Sequence, residues 1–123
     1  MSKRPRRPQN RNRQHDRQSS KPIALYVAAE NGGDVNLFDR CFIESATVRD
    51  ESETHKGLAA IKAWKAETKR KYQHTVDPLR IAEQDGKFIV TNRLTGNFPG
   101  SPIEIDFVFI IEGDKIVSLE ILS

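Results

Sequence analysis

Ile103-Glu104-Ile105-Asp106-Phe107-Val108-Phe109-Ile110-Ile111 keeps an apolar residue at every second position, so Ile103, Ile105, Phe107, Phe109 and Ile111 share one side of an extended chain. Such a run predicts a strand with one face in a core. Gly113-Asp114 turns it into a second run, Lys115 to Leu122. Upstream, the turn formers from Asn97 to Pro102 join it to Lys87 to Thr95. Asp85-Gly86 links that run to Leu79 to Glu83 and is a strong signal for a tight hairpin. Tight turns between consecutive strands imply an antiparallel sheet.

The N-terminal half has a different period. Ser19, Ser20 and Pro22 suit a helix start, Ile23, Tyr26 and Val27 fall on one helical face, and Asn31-Gly32-Gly33 suits its end. Asp34 can cap a second short helix carrying Leu37, Phe38, Cys41 and Phe42. A polar turn is expected from Glu51 to His55. A third helix follows, marked by Leu58, Ile61, Trp64, Thr68 and Tyr72, with Lys62, Lys65, Lys69, Arg70 and Lys71 mostly off that stripe as a solvated face. Between the second and third helices, Ala46-Thr47-Val48-Arg49-Asp50 alternates, so Asp50 closes the face that carries Ala46 and Val48. Three helices followed by tightly connected strands describe an α+β domain, with helices covering one face of the sheet.

The chain of 123 residues has a net charge of +3, but that figure averages two unlike parts. Residues 1–22 hold eight Lys and Arg against Asp16 alone, whereas 23–123 hold 12 basic and 16 acidic residues. The first part is thus +7 and the second −4. Only Met1 is apolar in the first, against 44 apolar residues in the second, so 1–22 is read as a basic disordered tail and 23–123 as one domain. No apolar run reaches the ~20 residues of a spanning helix. The tail lacks the apolar core and cleavage site of a secretory signal, and Cys41 alone permits no internal disulfide. A cytoplasmic protein that does not enter a membrane is expected. The tail could neutralise phosphates and give weak, sequence-blind nucleic-acid contact, though a solubilising extension fits its composition as well.

Tyr26-Val27-Ala28-Ala29-Glu30-Asn31-Gly32-Gly33-Asp34, then Ala46 to Asp50, then Lys56-Gly57-Leu58-Ala59-Ala60-Ile61, and last Gly113 to Leu119, together resemble the SnoaL-like, nuclear transport factor 2-like superfamily. The resemblance implies a curved, mainly antiparallel sheet wrapped with the three helices into a cone, the cystatin-like arrangement, usually dimeric and with a pocket at its wide end. Within the superfamily three positions resemble ketosteroid isomerases. Asp50 matches their base, Tyr26 a first-helix donor to the developing enolate oxygen, and Asp106 a second donor. Glu51 stands where those enzymes have proline. Strand parity places Asp106 on the face opposite Phe107 and Phe109, with Glu104, Val108 and Ile110.

The resemblance makes Tyr26, Trp64 and Asp50 the candidate ligand pocket, occupied by a small apolar or carbonyl-containing molecule, with isomerase- or cyclase-like acid/base chemistry at Asp50. Each residue also has a plainer reading. Asp50 could cap the turn after its strand, Tyr26 and Trp64 could be core, and Asp106 a solvated strand acid. His74 and Asp77 are too few for a metal site, His55 has no evident partner, and no cofactor motif is present. A non-catalytic dimerisation module, using Val108 and Ile110 on the outer sheet face, is the competing reading.

Overall fold

The computed structural model describes residues 21–122. Residues 1–20 of the tail, with the cap at Ser19 and Ser20, and the last residue lie outside them, while Lys21 and Pro22, expected in the tail, open the first helix. Helix α1 covers 21–32 and buries Ile23, Tyr26, Ala29 and Glu30, a spacing of three, three and one that holds one face to the core. Gly33 ends it at φ 71°, and Asp34 Oδ1 accepts from Asn36 N at 3.1 Å to start a single 3₁₀ turn, Val35–Leu37. Helix α2, Phe38–Cys41, is one turn long, because Phe42 already adopts extended geometry and opens strand β1, Phe42–Asp50.

Strand β2, Glu53–Lys56, occupies much of the stretch expected as a polar turn. Glu51 and Ser52, at φ 53° and 68°, form a two-residue turn with the positive φ values of type I′, and Asp50 pairs with Glu53 across it. The alternation there is faint, since Thr54 and Lys56 face out and, of Glu53 and His55 on the other side, only His55 is partly buried. Gly57, at φ 89°, leads into α3, Leu58–Tyr72. Strands β3 (Thr75–Gln84), β4 (Lys87–Thr95), β5 (Ile103–Glu112) and β6 (Lys115–Leu122) complete the domain. Strand β3 starts four residues before its expected beginning and contains Pro78. Its position at the sheet edge tolerates the missing N–H, and the register shifts between Pro78 and Arg80.

The six strands lie in the order β2-β1-β6-β5-β4-β3. All pairings are antiparallel except β1 with β6, which makes the sheet mixed and leaves it open at β2 and β3. Register shifts in β1/β6 and β5/β6 bend it. Helices lie on one face only. The core there centres on Tyr26, stacked on Phe38 at 5.4 Å between ring centroids and edge-on to Phe42, Phe107 and Phe109. Each of these buried rings contributes about 2–3 kcal/mol by burial, so the cluster pins α1 and α2 to the middle of the sheet. This is an α+β cone with the helices over its concave side.

Candidate functional site

One cavity of about 190 Å³ opens between α3, the end of α1 and the covered face of the sheet. Its apolar walls are Leu94 from β4, Phe98 from the following loop, Ile103, Ile105 and Phe107 from β5, and Ile121 from β6. Its polar lining comes from Asp50 and Glu51 at the end of β1, from Glu30, from Lys65, Thr68 and Tyr72 of α3, and from His74. Polar side chains thus line the β1 and α3 side and apolar ones the sheet side, so the cavity joins an apolar wall to convergent polar groups, as small-molecule sites do.

Asp50 reaches the cavity because β1 alternates. Ala46 and Val48 are buried on the same side, and the tight turn after Asp50 ends the strand at the cavity rim. Trp64 Nε1 donates to Asp50 Oδ2 at 3.1 Å. His55, on the same sheet face through its pairing with Val48, stacks on the Trp64 ring at 5.5 Å and 29°. Trp64 is thus wedged against β2 and orients the carboxylate.

A second polar cluster sits deeper, on residues that sequence reasoning did not assign to the site. Glu30 is 1% exposed, Lys65 4% and His74 5%. Glu30 Oε2 accepts from Lys65 Nζ at 2.9 Å and lies 2.6 Å from His74 Nε2. A carboxylate only accepts, so the His74 proton in this contact is on Nε2. Burial pushes the Glu30 carboxyl up, but the Lys65 charge, the His74 hydrogen bond and the nearby Tyr26 hydroxyl outweigh it and hold the group at about 2. Glu30 Oε1, His74 Nδ1 and Tyr26 Oη have no hydrogen-bond partner among the described residues. Tyr26 feels the Glu30 charge from one helical turn away without bonding to it. Burial first, and that charge second, raise its pKa well above the ordinary 10.

The backbone fixes this cluster from two sides. Asn31 pairs its amide with both backbone groups of Val76, by Nδ2 to O at 2.9 Å and N to Oδ1 at 2.7 Å, which ties the end of α1 to β3. Gln73, in a left-handed conformation at φ 50°, closes α3 and swings the chain so that His74 turns inward. Gly96 lies against that bend, where a Cβ would stand 2.9 Å from His74 Cα, His74 Cβ and Tyr72 O. Lys69 Nζ donates to the His74 carbonyl.

Of the residues anticipated for the site, Asp50 lines the cavity. Tyr26 and Trp64 do not. Tyr26 is fully enclosed by the aromatic cluster, and Trp64 touches the site through Asp50. Asp106 lies on the outer sheet face opposite Thr91, whose hydroxyl donates to it at 2.6 Å, so strand parity separates it from the cavity. Lys65, expected among the solvated lysines, is buried, and His74 is interior. No group of three metal-ligand side chains occurs among the described residues, and no described helix is long and apolar enough to cross a membrane.

The SnoaL-like domain family matches residues 23–119. Among solved structures, a candidate polyketide cyclase from Sinorhizobium meliloti is 30% identical, with a TM-score of 0.79 over 82% of this chain and 93% of that one. A protein of ketosteroid isomerase-like fold from Catenulispora acidiphila, in complex with trimethylamine, is 19% identical, with a TM-score of 0.73 over 85% and 86% of the two chains. A candidate SnoaL-like polyketide cyclase from Jannaschia is 13% identical, with a TM-score of 0.71 over 85% and 84%. The latter two share the fold. No curated protein matches the sequence.

Proposed function

The chain belongs to the SnoaL-like domain family, and from that membership we propose that it binds a small apolar or carbonyl-containing molecule in the cone cavity and that Asp50 transfers a proton next to the carbonyl. One observation carries this reading. Asp50 stands on the cavity wall with Oδ2 fixed by Trp64 at 3.1 Å, while the bonds among the described residues leave its other oxygen free to accept. The apolar walls suit a carbon skeleton, and the kinship with a candidate polyketide cyclase supports a carbonyl-rich one.

The test is deuterium exchange at the acidic C–H of a 1,3-dicarbonyl compound, followed by proton NMR. Wild-type protein accelerates exchange and Asp50→Asn does not. Equal rates for the two proteins exclude Asp50 as the base.

The competing reading, a homodimer formed through the outer sheet face, is supported by Ile89, Val108, Ile110 and the 45% exposed Leu122 on that side. It is compatible with the first. A monomer by light scattering at micromolar concentration removes it.

A further inference from the structure

An ammonium group has three donors. Lys65 spends one on Glu30 Oε2 at 2.9 Å, the only hydrogen bond its Nζ makes among the described residues. Its other surroundings are the Trp64 ring, with Nζ 4.1 Å from the centroid, and the cavity that it lines. A cation only 4% exposed, with N–H bonds to spare beside apolar walls, interacts strongly with any ligand oxygen that reaches it, because little water competes.

The charge is also held in place. Glu30 is buried, ionised and shared with His74 Nε2 at 2.6 Å, so the acid that holds the Lys65 ammonium is itself fixed by a second cluster member. One indole connects this cation to the candidate base, since Trp64 donates from Nε1 to Asp50 and meets Lys65 at its ring. The cavity therefore has a carboxylate and an ammonium set apart by a single side chain.

The geometry points to Lys65 as the group that holds the ligand's carbonyl oxygen while Asp50 takes the neighbouring proton, a deeper account of the site that rests on the Asp50 reading above. As the proton moves to Asp50, the C–H electron pair becomes the C=C bond and the carbonyl π pair moves to oxygen. Lys65 donates to the enolate oxygen so formed. Return of the proton from Asp50 to carbon restores the carboxylate, with no co-reactant. The substrate class is an enolisable ketone or 1,3-dicarbonyl. Tyr26 and Asp106, the donors implied by resemblance, lie off the cavity, and Lys65 takes the place of both.

The probe is 4-nitrophenol, whose phenolate is a stable, planar mimic of an enolate and whose ionisation is read directly by absorbance. Wild-type protein is expected to bind the phenolate form and to lower the probe's apparent pKa. Asp50→Asn should bind it at least as well, since a nearby negative charge is gone. Lys65→Met should lose about ten- to a hundredfold in phenolate affinity, the range for one hydrogen bond between charged groups. That variant alone strands the Glu30 charge, so Glu30→Gln/Lys65→Met, which removes both charges, is measured beside it with folding checked by circular dichroism. Phenolate affinity in the folded double variant equal to wild type overturns the proposal, as does a wild-type protein that binds no phenolate. If Asp50→Asn keeps its exchange rate while Lys65→Met loses phenolate, the base reading alone fails and the oxygen site stands.

Discussion

Glu30→Gln offers the most direct measure of what the buried cluster contributes. In the folded chain the Glu30 carboxyl titrates at about 2, against an ordinary 4.5. Each tenfold in proton affinity corresponds to about 1.4 kcal/mol, so ionised Glu30 adds about 3 kcal/mol to stability at neutral pH. The amide also leaves Lys65 buried without its counter-charge, which brings the expected loss to about 3–5 kcal/mol. The pH dependence has a definite sign. A carboxyl whose folded value lies below its unfolded one stabilises fully above 4.5, loses that contribution as the pH falls, and gives none below about 2. Urea denaturation of wild type and variant at a series of pH values from about 7 down to 3 should therefore show a gap that narrows in acid. A gap that stays constant, or a variant as stable as wild type at neutral pH, refutes the description of Glu30 as an ionised, paired and buried acid.

Three further outcomes follow from local geometry. Gly96→Ala places a methyl 2.9 Å from His74 and the Tyr72 carbonyl, backbone that cannot yield cheaply, and should cost about 1–3 kcal/mol in chemical denaturation. Replacing Glu51-Ser52 by Asn-Gly relieves two positive-φ positions and should raise stability by about 1 kcal/mol in the same assay, without moving Asp50. Burial pushes the Cys41 thiol up to about 12, against the smaller opposing influence of Lys115, so alkylation of the native protein should be limited by unfolding and accelerate along the urea transition.

The sheet was readable because its signals are redundant. In β5 the apolar alternation, the turn residues at both ends and the aromatic composition agree, and the same parity that puts Phe107 in the core puts Asp106 outside it. Strand β2 carries no such redundancy. It is four residues long, pairs on one side only, and is created by a turn whose residues, Glu51 and Ser52, are poor advertisements for positive φ. The parallel pairing of β1 with β6 is likewise a property of the whole chain, since it joins residues more than seventy positions apart, such as Phe42 and Ile116, that no local turn connects.

The candidate site was half legible, for an identifiable reason. Asp50 could be found because an acid on an apolar strand face breaks a pattern. Lys65 breaks one too. Leu58, Ile61, Lys65, Thr68 and Tyr72 are spaced three, four, three and four, a more regular helical stripe than the one drawn through Trp64, and Lys65 is the charge in its middle. Glu30 similarly follows Ile23 and Tyr26 at i+7 and i+4 on the buried face of α1. Two opposite charges, each placed on an inward stripe of a different helix, cost far more to bury singly than as a pair, so each is a reason to look for the other. His74 gives no periodic signal, because it stands at a left-handed bend between helix and strand where side-chain direction is set by Gln73 and by the space Gly96 leaves open. The pairing rule for interior charges thus points from sequence to Glu30 and Lys65, two of the three members of the cluster, and only the fold supplies the third.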